Sequence, residues 1–460
     1  MAPKFGTSGL RGLVAELTPE LVADNVRAFI AACDHGGTIF VGQDLRPSSP
    51  RIAGDIIAAA RAEGIRVVDC GALPTPALAY AAMSAGAGAI MVTGSHIPAD
   101  RNGLKFYVRT GEISKRDEAG ISAALGRGAA GLDGALESDG GAAGRFVERY
   151  TSAFGPAALA GRKIGLYAHS AVGRDDLKAM LERIGAEVVE LGRSDSFIPV
   201  DTEAVDPDTR AQIAAWVSEQ GLDALVSTDG DSDRPLLADE TGAIVPGDIM
   251  GQITAEALGA EAVVTPISSN SGVTRKGFSK VMTTRIGSPF VIGGMEELGG
   301  QVVGYEANGG FLLGFDAQGP AGVLSALPTR DCMLPLIVTL VAAGKGTVSA
   351  RVAQEPPVIT MADRLQEVPQ EASQPFVARL RDAPSARAEF LGLLGATEAA
   401  CDLTDGVRMG LSDGRIVHVR PSGNAPELRL YVEAADRDAA SMLMDKGLAA
   451  LRAALFETSA

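Results

Sequence analysis

Short apolar runs recur along this chain, each followed by a polar loop that carries glycine, and this alternation limits the fold more than any other feature. Residues 38–42, 65–69 and 89–92 read as strands of a first unit, and residues 51–63 read as a helix between the first two. Strand, helix, strand is a βαβ organisation. A second unit opens at 163–167 and a third near 262–265. Residues 126–144, rich in Gly and Ala, read as a surface loop before the first boundary. After Gly344 the chain becomes proline-rich and charged, including Glu355-Pro356-Pro357, which predicts a hinge into a C-terminal domain of α+β pattern. A chain of 460 residues exceeds what one core supports, so roughly three or four domains are expected.

The loop with the most chemistry is Asp229-Gly230-Asp231-Ser232-Asp233-Arg234. The apolar run 222–226 before it reads as a buried strand, which puts the acidic loop at a strand's C-terminal end, where open α/β sheets bind ligands. Three carboxylates at alternate positions can converge on one hard cation, and oxygen ligands favour magnesium over zinc. The arginine beside them can hold a phosphate. An EF-hand loop also begins D-x-D-x-D, and Glu240 falls at its twelfth position; however, Arg234 stands at the sixth, where that turn needs glycine, and a strand precedes it. The bland alternative is a solvated acidic turn.

Ser95, in Met91-Val92-Thr93-Gly94-Ser95-His96-Ile97-Pro98-Ala99-Asp100-Arg101-Asn102-Gly103-Leu104-Lys105, follows another short strand. Gly94 allows a tight turn that leaves a hydroxyl able to carry a phosphoryl group. Lys105 can steer or exchange a proton. Serines beside glycines are usually only turns, and lysines usually only surface charges. The pairing of this loop with the acidic hexapeptide is what makes either specific.

On these two loops, on Gly304-Tyr305-Glu306-Ala307-Asn308-Gly309-Gly310, on Arg420-Pro421-Ser422-Gly423-Asn424-Ala425-Pro426-Glu427-Leu428-Arg429, and on the opening Phe5-Gly6-Thr7-Ser8-Gly9-Leu10-Arg11-Gly12, the chain resembles the bacterial α-D-phosphohexomutases, in particular their phosphomannomutase and phosphoglucomutase branch. The resemblance covers nearly the whole length. It implies three α/β domains with mixed sheets plus a C-terminal α+β domain around a central cleft, with boundaries at 1–145, 146–245, 246–355 and 356–460. It implies a serine, Ser95, that is phosphorylated at rest and passes its phosphoryl group to a sugar phosphate. The product is a hexose 1,6-bisphosphate, both intermediate and activator, which must turn end for end. Mannose 6-phosphate and mannose 1-phosphate are the implied pair, with glucose phosphates also accepted.

The implied site has Mg2+ on Asp229, Asp231, Asp233 and a Ser95 phosphate oxygen, with Arg234 clamping that phosphate. Lys105 is the proton exchanger, Arg11 adds positive charge, and His96 contacts the phosphoserine region. Glu306 and Asn308 read sugar hydroxyls, while Arg420, Ser422, Gly423, Asn424 and Arg429 hold the other phosphate. Bottom-up, a guanidinium, hydroxyl, glycine and amide within 420–424 suit a nest for phosphate oxygens, although an ordinary hairpin between strands 415–419 and 428–432 would have the same outline.

Several positions depart from the family pattern: Ile97 for asparagine, Asn424 for threonine, Ala425 for glutamate, and Gly310 and Ser288 where many relatives carry histidine. Those last two shift the acid–base expectation onto Lys105. Alternatives are a phosphoglucomutase, a phosphoglucosamine mutase, an aspartate-nucleophile phosphatase or a non-catalytic sugar-phosphate binder.

Composition is compatible with this reading. With 41 basic and 57 acidic residues, net −16, nucleic acid and anionic membrane are poor partners. A small phosphosugar is also anionic, so it needs local focusing by Arg11, Lys105, Arg234, Arg420 and Arg429. Cys33, Cys70, Cys332 and Cys401 form no C-x-x-C pair and read as reduced thiols, which suits a cytoplasmic protein. No N-terminal signal is visible, no apolar stretch approaches the roughly 20 residues of a membrane span, and a monomer is favoured over a homodimer.

Overall fold

Strand Thr38–Gln43 is buried over four consecutive residues, the pattern of a strand covered on both faces. It lies parallel to both Arg66–Ala72 and Gly88–Val92. Helix Ser49–Ala62 turns Ile52, Ala53, Ile56, Ala59 and Ala60 inward at three- and four-residue spacing, onto Ile39, Val41, Val67, Ile90 and Val92 of that sheet. Fully burying Ile52 or Ile56 contributes about 1.5–3 kcal/mol each. Helix Pro19–Ala32 begins where Thr18 accepts the Leu21 N–H and proline takes the first position, a preferred start. Gly88–Val92 then pairs antiparallel with Arg101–Val108, so the turn carrying Ser95 joins neighbouring strands of a mixed sheet.

The computed structural model describes residues 3–6, 9–422 and 427–457. The chain packs as two units, Met1–Val263 with Gly287–Gln354 and Val264–Ile286 with Glu355–Ala460. The first unit also contains a sheet in which Glu187–Leu191, Lys163–Tyr167 and Ala224–Thr228 run parallel and Pro235–Ala238 and Ile244–Val245 return antiparallel. A third, antiparallel set is Val302–Tyr305, Phe311–Leu313 and Leu327–Asp331. In the second unit an antiparallel sheet runs in the order Ile359–Leu365, Leu428–Ala434, Ile416–Pro421, Val407–Leu411, Glu398–Asp402. Phe376, Leu380, Phe390, Leu391, Leu443 and Leu451 of its helices close that core. The fold is therefore multi-domain α/β with mixed sheets, ending in the expected α+β element.

One expectation needs correcting. Residues 126–144 are not only a loop: Leu136–Ser138 extends the first sheet beside Arg66–Ala72, and helix Ala142–Phe154 starts inside the stretch. All three residues of that strand are exposed, so it lacks the alternation that periodicity detects.

All four cysteines are free thiols. Among the described residues, no helix is long and apolar enough to cross a membrane.

Two fully buried histidines set an acid limit on stability. His169 Nε2–H donates to the Thr228 carbonyl and His418 Nε2–H to that of Asp405. Burial pushes each imidazole from 6.5 down to about 4. The unfolded chain therefore binds protons that the folded one refuses, and stability present above pH 6.5 is lost as pH falls toward 4. The loss is about 1.4 kcal/mol per pH unit per histidine. Urea midpoints measured across this window should fall steadily, and His169→Asn or His418→Asn should flatten the slope.

Candidate active site

Asp229 to Arg234 close the hairpin between Ala224–Thr228 and Pro235–Ala238, with Thr228 opposite Pro235. The tight loop is held from inside. Asp229 N–H donates to the Arg234 carbonyl at 3.1 Å, and Asp229 Oδ1 accepts from the N–H groups of Asp233 and Arg234 at 3.2 and 3.3 Å. Ser232 takes a left-handed φ of 55°. This folding brings one oxygen from each of Asp229, Asp231 and Asp233 within 4.8 Å of the others, all three residues being buried.

The electrostatics of the triplet are uneven. Burial and the two neighbouring carboxylates push Asp229 well up. Burial also opposes ionisation of Asp233, but Arg330, Lys105 and Arg234 outweigh it and hold that carboxyl low. Lys105 Nζ donates to Asp231 Oδ2 at 2.6 Å and Asp233 Oδ2 at 2.5 Å, and Thr75 Oγ1 donates to Asp231 Oδ2 at 2.5 Å. The other oxygens, Asp231 Oδ1 and Asp233 Oδ1, are buried without a hydrogen-bond partner. Such orphaned acceptors are costly unless something satisfies them. An all-oxygen, three-carboxylate donor set fits a hard divalent cation.

Ser95 meets this triplet directly: its hydroxyl donates to Asp229 Oδ2 at 2.5 Å. The residue is fully buried, with φ 54°, a strained conformation for a serine. Its N–H donates to Thr93 Oγ1 at 2.8 Å. Arg46, fully buried, donates to the carbonyls of Ser95, Ile97, Pro98 and Arg101 at 2.8, 2.5, 2.7 and 3.0 Å. Asp44 balances it at 3.1 Å, and the Phe197 ring lies 4.0 Å from the guanidinium carbon. A Cβ at position 230 would stand 2.8 Å from the Ser95 carbonyl oxygen, so only glycine there lets the acidic loop come this close.

His96 and Arg234 form a neutral–cationic pair. Arg234 Nη1 donates to His96 Nδ1 at 3.0 Å; since a guanidinium only donates, the imidazole carries its proton on Nε2. Burial and then Arg234 push His96 down to about 3, so it is uncharged at neutral pH and orients the guanidinium. Arg11, on strand Leu10–Leu13 opposite Gly103, is pushed down to about 10 by burial and then by Arg234 and Arg330.

The third loop closes the hairpin between Val302–Tyr305 and Phe311–Leu313. Glu306 N–H donates to the Gly310 carbonyl at 3.1 Å, and Gly309 N–H to the Glu306 carbonyl at 2.9 Å. Asn308 Oδ1 accepts from Gly310 N–H at 3.0 Å, and the Asn308 carbonyl accepts from Thr202 Oγ1 at 3.2 Å. Both Glu306 and Asn308 are buried. Next to them stands Arg330, 3% exposed, a residue that local motif reading passed over.

In the second unit, Arg420 and Arg429 are direct cross-strand partners. Like charges so placed repel, and a carboxylate stands beside each guanidinium, Asp405 at 3.3 Å and Glu427 at 3.5 Å respectively. Ser422, buried, donates its N–H to the Glu427 carbonyl at 2.9 Å. Strands Ile416–Pro421 and Leu428–Ala434 thus run antiparallel and place two guanidiniums side by side. Gly423 and Asn424 lie outside the described residues.

Within the first unit the structure thus brings together Ser95, His96, Lys105, Arg11, the three aspartates, Arg234, Glu306 and Asn308. Sequence reading missed Arg46, Thr75 and Arg330. For Arg46 and Arg330 the signal was faint: Asp44-Leu45-Arg46 places a charge pair just after a buried strand, and Arg330-Asp331 places another inside one.

Residues 2–130, 145–242 and 238–357 match the family models for phosphoglucomutase/phosphomannomutase alpha/beta/alpha domains I, II and III. Residues 362–449 match that for the phosphoglucomutase/phosphomannomutase C-terminal domain. The chain is 45% identical to a phosphomannomutase of Sinorhizobium fredii, covering 99% of this chain and 100% of that protein. To a phosphomannomutase of Salmonella muenchen it is 42% identical, covering 98% and 96%. The crystal structure of a phosphoglucomutase/phosphomannomutase family protein from Burkholderia thailandensis superposes with a TM-score of 0.78 at 21% identity, covering 97% of each chain. With four domain models matched in order along the chain and full-length relatives above 40% identity, this protein belongs to the phosphoglucomutase/phosphomannomutase family.

Proposed function

We propose that the protein is a phosphomannomutase, an isomerase that interconverts mannose 6-phosphate and mannose 1-phosphate and also accepts the glucose phosphates. The observation that carries the reading is the Ser95 hydroxyl, 2.5 Å from the first carboxylate of a buried acidic triplet. The full-length likeness to phosphomannomutases supports the choice of sugar.

On this reading Ser95 holds a phosphoryl group. A sugar hydroxyl oxygen forms a bond to its phosphorus while the Ser95 Oγ–P bond breaks, giving a hexose 1,6-bisphosphate. The proton that the hydroxyl loses is exchanged through Lys105 and ends on the serine oxygen. After the bisphosphate turns, the same steps in reverse return its other phosphoryl group to Ser95. Mg2+ on Asp229, Asp231 and Asp233, with a Ser95 phosphate oxygen, would neutralise charge on the transferring group. Arg234, aimed by His96, and Arg11 hold its oxygens. Glu306 and Asn308 bind sugar hydroxyls, while Arg420, Ser422, Gly423, Asn424 and Arg429 bind the phosphate that is not in transfer. The four domains take the boundaries 1–145, 146–245, 246–355 and 356–460. Four free thiols support a cytoplasmic setting.

Parallel kinetics with mannose 1-phosphate, glucose 1-phosphate and glucosamine 6-phosphate test the assignment, with Mg2+ and a trace of glucose 1,6-bisphosphate present. Intact-mass measurement for phosphoserine completes the test. Interconversion of mannose phosphates that needs both additives is the expected result. Release of inorganic phosphate without interconversion would mean a phosphatase, and no turnover with no phosphoserine would mean a binding protein.

A further inference from the structure

Arg330 lies on the buried strand Leu327–Asp331 and reaches three carboxylates from separate parts of the first unit. Its Nη2 is 3.2 Å from Asp233 Oδ2, its Nε 3.5 Å from Glu112 Oε1, and its Nη1 3.8 Å from Glu306 Oε2. Burial works against its charge, but Asp233, Glu112 and Glu306 together keep the guanidinium firmly protonated. Glu112 is itself fixed from the other side, accepting from Ser288 Oγ at 2.6 Å and Thr329 Oγ1 at 3.1 Å.

The Glu306 oxygen differs from the other two, since Asp233 Oδ2 accepts from Lys105 Nζ and Glu112 Oε1 from Thr329 Oγ1. Glu306 Oε2 is buried and has no hydrogen-bond partner. At 3.8 Å the guanidinium balances the charge of this oxygen without occupying its lone pairs, so a buried acceptor is left unsatisfied, which is costly unless a donor meets it. The arginine stem is equally constrained. A Cβ at position 310 would stand 3.0 and 3.1 Å from Arg330 Cγ and Cδ, so a side chain at 310 would crowd the arginine stem and shift it by a few tenths of an ångström.

We propose that Arg330 is a positioning residue for sugar recognition, holding Glu306 toward the substrate hydroxyl while its charge is shared with the acidic loop through Asp233. The proposal rests on the phosphohexose reading above. It makes one cation serve two sites with opposite signs. Removing the charge lets Glu306 lose its aim, which weakens the sugar; the same removal leaves the aspartate triplet more negative, which strengthens a divalent cation.

The test compares the unmodified protein with Arg330→Met, Arg330→Lys and Ile337→Ala. Ile337 is a buried residue on helix Met333–Ala342, and its truncation lowers stability by a cavity alone. Two quantities are measured, KM and kcat for mannose 1-phosphate and Mn2+ affinity by titration. Arg330→Met should raise KM about tenfold or more and lower kcat/KM about 100-fold, while Mn2+ binds several-fold more tightly. Arg330→Lys should restore the unmodified Mn2+ affinity but not KM, because an ammonium cannot span three carboxylates as a planar fork does. Unchanged KM in Arg330→Met would overturn the proposal. So would KM and Mn2+ affinity weakening together, as general damage gauged by Ile337→Ala would produce. If the unmodified protein turns over no hexose phosphate, the functional reading falls by itself, and unchanged Mn2+ affinity in Arg330→Met would still overturn the role given to Arg330.

Discussion

Replacing Ser95 with alanine is expected to abolish hexose phosphate interconversion, by at least about 10^4-fold, the scale seen when a covalent nucleophile is removed. Stability should hardly change. The lost hydrogen bond to Asp229 is worth about 1 kcal/mol, and Asp229, already pushed upward by burial and its neighbours, can satisfy itself by keeping a proton. The variant therefore separates chemistry from folding. After incubation with glucose 1,6-bisphosphate the variant should carry no phosphate in intact mass, whereas the unmodified protein should carry one group. Retained turnover at a tenth of the original rate would mean that Ser95 does not carry the phosphoryl group.

The second large effect is on folding. Arg46→Met removes a guanidinium that ties four carbonyls of the Ser95 loop and leaves Asp44 buried without its cation. Breaking a buried pair from one side costs about 3–5 kcal/mol. The loss has a recognisable pH signature. Burial already pushes the Asp44 carboxyl up, against Arg46, Ser49 and Thr93; without Arg46 it rises further, so the folded state binds a proton that the unfolded state releases. The deficit should be larger at pH 8 than at pH 5, as read from urea midpoints. A deficit of the same size at both would show that Arg46 acts by packing alone. Activity should fall as well, since the Ser95 carbonyl is one of the four atoms released.

The acidic hexapeptide and the serine loop were legible because their residues are contiguous and their strands apolar; hairpin closure at Thr228 and Pro235 does the rest. The same holds for Glu306 and Asn308, which one turn gathers. Arg46, Thr75 and Arg330 were not legible for the opposite reason. Each acts on a partner far away in sequence: Arg46 on Ser95, Thr75 on Asp231, Arg330 on Asp233. No local pattern encodes such a contact, and a buried charge looks like a surface one until the fold covers it. Strand Leu136–Ser138 escaped because an exposed edge needs no apolar residues. The tie of Lys105 to both Asp231 and Asp233 also lay beyond sequence, which could propose a proton carrier but not its two anchors.

The anchoring of Ser95 has a kinetic corollary. Its amide, carbonyl and hydroxyl are each fixed, by Thr93, Arg46 and Asp229, and the glycine at 230 lets the acidic loop abut its carbonyl. In the mutase cycle proposed above, with Ser95 held at these three points, the travel between half-reactions falls to the doubly phosphorylated sugar. Each reversal is then a race against escape into bulk water. An escape leaves behind an unphosphorylated serine that only a fresh bisphosphate can recharge, so turnover should decay at high dilution and recover when that compound is supplied.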